Sequence, residues 1–226
     1  MLRMTGVSKA YRSQVLETFA LRDLSLHVRT GEFIAVTGPS GSGKTTFLTI
    51  AGMLEGFTYG EYRLDGVNVH GMGDLERSRV RNEKIGFIFQ SFNLIADLTV
   101  HENIEMPLRY RGFAAPDRAR RAADSLSRVG LSGRASHQPF ELSAGQQQRV
   151  AIARALAGSP RVLLADEPTG NLDAEMARGI MDLIEELHRD GATIVAVTHD
   201  QRLVARAQRE IHIFDGNIVE HPLLVP

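Results

Sequence analysis

The stretch Gly38-Pro39-Ser40-Gly41-Ser42-Gly43-Lys44-Thr45-Thr46 constrains this chain more than any other, because it dictates what the backbone does on either side. It follows the apolar run Phe33-Ile34-Ala35-Val36 and leads into Phe47-Leu48-Thr49-Ile50-Ala51-Gly52-Met53-Leu54, so the segment reads as strand, glycine loop and helix. Glycines at these spacings let successive backbone N–H groups converge on one anion with no Cβ in the way. The helix that follows aims the positive end of its dipole at the same point. Nucleotide phosphates fit such a nest. Lys44 reaches the β- and γ-phosphates as a compact cation, and the Thr45 hydroxyl is placed to ligate the Mg²⁺ that bridges them. A chance Gly/Ser-rich loop would require neither the strand before it nor the helix after it.

The 226 residues suffice for one large α/β domain, or for a core with an inserted subdomain. With 26 Lys+Arg against 27 Asp+Glu the formal net charge is −1, so no global basic field argues for nucleic acid or an anionic membrane surface. The absence of cysteine excludes a disulfide framework and a thiolate metal site, and is compatible with a reducing compartment. Met1-Leu2-Arg3-Met4-Thr5-Gly6 lacks the apolar core of a signal peptide, and no run of about 18 apolar residues is present to span a bilayer. Action at a membrane is therefore expected to go through a separate spanning subunit.

Residues 2–7 and 24–28 read as short strands, and Tyr11 lies between them, either packed or offering a face on which adenine can stack. Gly60 to Val69 reads as two strands broken at Asp65-Gly66, and Asp74 to Lys84 as a solvated helix or loop. Ile85-Gly86-Phe87-Ile88-Phe89 is an apolar strand ending on Gln90, at the kind of strand end where α/β folds place ligands. Ser91 to Leu98 stays apolar without a period and is expected to receive a helix of a membrane partner. Thr99 or His101 begins a helix that Pro107 ends or kinks, and Pro116-Asp117 starts another with the stripe Ala119, Ala122, Ala123, Leu126 and Val129. Arg118, Arg120, Arg121 and Arg128 form the polar back of that helix rather than a nucleic-acid surface, since acidic residues accompany them and no aromatic platform does.

Leu142-Ser143-Ala144-Gly145-Gln146 opens a further helix. Ser143 with Gln146 makes a capping box, and Gly145 leaves room for a phosphate at the free N–H groups of the first turn, so capping and anion binding are both open here. Arg161 to Pro168 is an apolar run ending in Asp166-Glu167, the pattern of a buried strand carrying acids to the sheet edge. Neighbours on an extended strand face opposite ways, so one acid can serve Mg²⁺ and the other an attacking water. Asp173 caps a helix carrying Met176, Ile180, Leu183, Ile184 and Leu187. Thr193 to Thr198 is another buried strand and delivers His199, and a hairpin of Ile211–Phe214 with Ile218–Glu220 closes the chain.

In this order, the phosphate loop, Gln90, Leu142 to Gln146, Asp166-Glu167, Asp173 and His199 resemble the ATPase subunit of an ATP-binding cassette transporter along essentially the whole chain. The wording of Ser91 to Leu94, Leu142 to Leu156 and Leu164 to Asp173 is similar to the branch of macrolide exporters and lipoprotein-releasing complexes. One departure is Ala144, where that family usually has Gly. The resemblance implies an α/β P-loop NTPase with a parallel core sheet, an N-terminal antiparallel β region and a helical subdomain carrying the signature motif. The core would take residues 1–90 and 160–226, and the helical part about 91–159. It also implies roles for ATP and Mg²⁺: Tyr11 on adenine; Gly38, Pro39, Ser40, Gly41, Ser42, Gly43, Lys44, Thr45 and Thr46 on phosphates; Thr45, Gln90 and Asp166 on Mg²⁺. Glu167 is then the general base, His199 contacts the γ-phosphate, and Ser143, Gly145, Gln146 and Asp173 serve the ATP of a second copy in a head-to-tail dimer. The implied partners are a membrane permease and that second copy, the implied place the cytoplasmic face of the inner membrane. A GTPase or small-molecule kinase explains Lys44 but neither the Ser143 turn nor the paired acids. The segment between Gln90 and Leu142 is too short for the coiled coil of DNA-repair cassettes.

Overall fold

A computed structural model describes residues 1–12 and 17–219. The order is β1 (Leu2–Arg12), β2 (Glu17–Val28), β3 (Phe33–Thr37), α1 (Lys44–Ala51), β4 (Tyr59–Leu64), β5 (Val67–Asn68), α2 (Asp74–Lys84) and β6 (Ile85–Ile88). There follow α3 (Val100–Tyr110), α4 (Ala115–Arg128), α5 (Ala144–Leu156), β7 (Val162–Asp166), α6 (Ala174–Arg189), β8 (Ile194–Val197), α7 (Gln201–Val204), β9 (Arg209–Phe214) and β10 (Asn217–Val219).

Two sheets result. One is antiparallel, ordered β2-β1-β4-β5; the other is ordered β10-β9-β3-β8-β7-β6, with only β10 antiparallel. The unbroken apolar runs of β3, β7 and β8 follow from burial on both faces of the second sheet. Alternate residues enter different cores: Phe33, Leu163, Ala165, Ile194 and Ala196 join α3 to α6, while Ile34, Val36, Val162, Leu164, Val195 and Val197 join α1 and the antiparallel sheet. Because β3, β6, β7 and β8 are parallel, their carboxyl ends share one edge, and the segments leaving them are brought together there.

Several local expectations shift. The first two strands extend well beyond residues 2–7 and 24–28, because Lys9 to Arg12 pair with Glu17 to Leu21; Tyr11 therefore sits on β1 rather than between strands. Pro107 does not end α3, which continues to Tyr110 and buries Leu108 beyond the proline. On α4 the buried positions are Ala122, Ser125 and Leu126, followed by Val129, while Ala119 and Ala123 are exposed; single alanines carry too little apolar area to choose a face. Its arginines are engaged within the chain: Arg118 with Glu105, Arg120 with Asp117, Arg121 over the Phe113 ring and Arg128 with Asp190. Glu220 of the closing hairpin lies outside the described residues.

Candidate active site

The phosphate loop owes its shape to packing from behind. Gly38 has φ 143°, and a Cβ there would run into the Ile213 carbonyl oxygen of β9, so no other residue fits without moving that strand. The turn of the closing hairpin braces the loop, with Gly216 N–H donating to Ser42 O at 2.9 Å and Arg22 N–H donating to Gly216 O at 2.8 Å. The first intrahelical bond of α1 runs from Phe47 N–H to Gly43 O (2.8 Å), and no side chain caps this end. The N–H groups of Lys44, Thr45 and Thr46 therefore have no intrahelical acceptor. Lys44 Nζ lies across the loop and donates to Gly38 O and Pro39 O at 2.7 and 2.8 Å. The buried Ser42 hydroxyl has no hydrogen-bond partner among the described residues.

The two acids part at the end of β7. Asp166 is its last residue, and its carboxyl is raised from the usual aspartate value because burial and then the Glu167 charge disfavour ionisation, with Lys44 acting the other way. Glu167 is not on the strand. At φ 43° it turns out of the extended direction, held by its N–H on Val197 O (2.9 Å) and by Gly170 N–H on its own carbonyl (3.0 Å). Alternation along a strand thus does not separate the acids; a left-handed backbone does. The Glu167 carboxylate meets His199, whose Nδ1 lies 2.9 Å from Oε1 and whose backbone N–H donates to Oε2 at 3.3 Å, and the His199 side chain is 75% exposed. A half-buried carboxylate disfavoured in its charged form, at the sheet edge that also carries the phosphate loop, suits a hard cation that takes few protein oxygens and fills its shell with water and phosphate. No group of three or more His, Cys, Asp or Glu gathers among the described residues.

Gln90 follows β6 and is locked to the loop after Glu167: its Nε2 donates to Asn171 Oδ1 (3.1 Å), and Asn171 Nδ2 donates back to Gln90 O (3.0 Å). Asp173 caps α6, accepting from Met176 N–H at 2.8 Å. Ser143 caps α5 in a capping box with Gln146 (3.3 and 3.1 Å), so the capping reading holds. Gly145 has a packing role beside the one expected of its backbone N–H. The space its missing Cβ leaves is filled by Met176, whose Cγ would stand 3.1 Å from such an atom, so the glycine serves α5–α6 packing. Ala144 takes the first helical position, where a Cβ costs nothing. No hydrogen bond or ion pair among the described residues joins this turn to the Lys44 loop.

Sequence reasoning passed over three residues. Asn171 orients Gln90. The fully buried Gln148 on α5 donates to Pro168 O at 2.7 Å and ties that helix to the loop after the acids, a role its lone polar position on an apolar face signals. Glu55 accepts from the Tyr11 hydroxyl at 2.9 Å, and nothing local announces it. A cavity of about 320 Å³ is lined by Phe87, by Phe89 next to Gln90 in the chain, and by Ile95, Met106, Pro107 and Arg154. Arg154 donates to Phe92 O at 2.7 Å and also to Asn93 O; Leu94 packs against the core, and Ile95 is an exposed large apolar residue of this stretch, at 45%. Tyr11 itself is 45% exposed.

Known proteins resemble this chain in sequence and fold. The family profile described as ABC transporter matches residues 21–170. The uncharacterized ABC transporter ATP-binding protein YvrO of Bacillus subtilis is 45% identical over 97% of this chain and 96% of its own. The macrolide export ATP-binding/permease protein MacB of Hyphomonas neptunium is also 45% identical over 97% of this chain, which spans only 34% of that longer protein. Among solved structures, the MJ0796 cassette of Methanocaldococcus jannaschii, described as a dimeric post-hydrolysis state bound to ADP and Pi, superposes with a TM-score of 0.89 at 41% identity, covering 100% of both chains. Identity of this order over nearly the whole length, carried on a shared fold, establishes that the chain belongs to the ABC transporter family.

Proposed function

We propose that this chain is the ATP-hydrolysing subunit of an export-type ABC transporter, two copies of which close head to tail over two ATP molecules and drive a separate membrane permease. The observation that carries this reading is the meeting, at one edge of one sheet, of the phosphate loop, Gln90, Asp166 and the hydrogen-bonded pair Glu167 and His199. Gly38 to Thr46 cradle the phosphates, Lys44 pairs with the outer ones and Tyr11 stacks on the adenine. Thr45 and Asp166 would hold Mg²⁺, with Gln90 beside it; the ion supplies neutralisation of phosphate charge. Glu167 orients the attacking water and accepts its proton, and the His199 contact holds that carboxylate in place while leaving the ring exposed toward a γ-phosphate.

The Ser143 turn, with Gly145 and Gln146, offers its N–H groups to the ATP of the other copy, and Asp173 lies at the junction between copies. Support comes from the dimeric state of the MJ0796 cassette. Residues 91–159 form the helical part and the remainder the core. The permease seats on the cavity lined by Phe89 and Ile95, and the chain works at the cytoplasmic face of the inner membrane as a peripheral subunit; no helix among the described residues is long and apolar enough to cross a bilayer. MacB relatives carry cassette and permease in one protein, which supports an export partner.

Glu167→Gln tests the reading. It keeps the shape of the side chain and loses its basicity, so hydrolysis should fall by roughly two to four orders of magnitude while ATP stays bound. Size-exclusion chromatography with Mg-ATP should then show a persistent dimer. A variant that stays monomeric with ATP bound, or that turns over at the wild-type rate, overturns the mechanism.

A further inference from the structure

The Tyr11 ring is held from two sides by residues to which the reading above gives no role. Its hydroxyl donates to Glu55 Oε2 at 2.9 Å. The Lys9 ammonium stands 4.9 Å from the ring centroid, 2.8 Å from Glu55 Oε1 and 2.9 Å from Gly56 O. Lys9 and Glu55 side chains are only 15% and 33% exposed, so this grip is partly shielded from water. Glu55 lies four residues beyond the last residue of α1, and its N–H donates back to Thr49 O of that helix at 3.3 Å. One short helix, about 12 Å long at 1.5 Å per residue, thus carries the phosphate loop at its start and the anchor of the Tyr11 ring just beyond its finish.

We propose that Glu55, braced by Lys9, is a positioning residue for the base: it fixes the Tyr11 ring to the same helix that carries the phosphate nest, so that platform and nest meet a nucleotide as one rigid body. The inference rests on the reading of Tyr11 as the adenine platform. With the Lys9 cation over one face of the ring, a base stacks on the other, and a ring tethered at its hydroxyl loses little freedom when it does so. Glu55 touches no phosphate in this scheme and acts through Tyr11 alone.

The test separates base from phosphate. ATPase KM and kcat are measured for wild type, Glu55→Ala, Glu55→Gln, Tyr11→Phe, Tyr11→Ala and the double variant Glu55→Ala/Tyr11→Phe, together with inhibition by Mg-tripolyphosphate, which has no base. Glu55→Ala should raise KM for ATP roughly three- to tenfold, the worth of one hydrogen bond, with kcat and tripolyphosphate inhibition unchanged. Glu55→Gln, which still accepts from the hydroxyl, should recover most of the loss. The double variant should match the single ones, because both remove the same bond. Tyr11→Phe removes that bond without touching Glu55 and covers the case of a misfolded Glu55→Ala. Additive effects, or an equal loss of tripolyphosphate binding, overturn the proposal. So does a rise in KM for Tyr11→Ala with none for Glu55→Ala, and then the platform reading survives. If Tyr11→Ala itself leaves KM unchanged, the platform reading falls and takes the proposal with it.

Discussion

Tyr62→Phe is a quantitative test of how the antiparallel sheet is fastened to the phosphate helix. Tyr62, on β4, is fully buried, and its hydroxyl donates to Ala51 O at 2.6 Å. That carbonyl belongs to the last residue of α1 and receives no backbone N–H, since the N–H groups of Gly52, Met53, Leu54 and Glu55 go to Leu48, Ile50 and Thr49. Removing the hydroxyl loses one hydrogen bond and strands a buried acceptor, at a cost of about 1–3 kcal/mol. Burial also pushes the Tyr62 hydroxyl far above the usual tyrosine value. The folded pKa therefore exceeds the unfolded one of about 10, and the wild-type advantage is full below that pH and declines above it by about 1.4 kcal/mol per unit. An advantage of about 2 kcal/mol should vanish near pH 11.5. Urea titrations of both proteins at pH 7.5, 9, 10.5 and 11 measure this, with the other tyrosines cancelling in the comparison. A difference below about 0.3 kcal/mol at pH 7.5 contradicts the hydrogen-bond cost, and a difference that stays flat to pH 11 contradicts the burial argument.

Two further substitutions probe the site and its surroundings. The Asp166 carboxyl is raised by burial and by Glu167, so its stabilising contribution is present at acid pH and lost as pH rises through the folded value; Asp166→Asn should melt higher than wild type at pH 7.5, converge with it near about pH 4, and hydrolyse ATP at least about a hundredfold more slowly. A wild type that melts higher at pH 7.5 counts against the sign. Ile95→Asp places a charge on the exposed lining of the cavity that Phe89 also lines, and co-purification with the permease should drop while nucleotide titrations stay unchanged; undiminished co-purification removes the cavity from the docking surface.

What the sequence determined was local. Steric freedom at Gly38, Gly41 and Gly43, the apolar runs of β3, β7 and β8, and the caps at Ser143 and Asp173 are read from neighbours a few residues apart, because backbone sterics, helix-end hydrogen bonds and two-sided burial act at that range. The order of motifs was enough to indicate the family. What only tertiary structure decided involves partners far apart in the chain: Tyr11 with Glu55, Gln90 with Asn171, Gly145 with Met176 and Gly38 against Ile213. Glu167 belongs to the same group, for its left-handed turn is held across the sheet by Val197. These contacts depend on which strands lie side by side, and strand order follows from how two cores divide the apolar residues between the sheet's faces, a global balance of buried area that no short window of residues encodes.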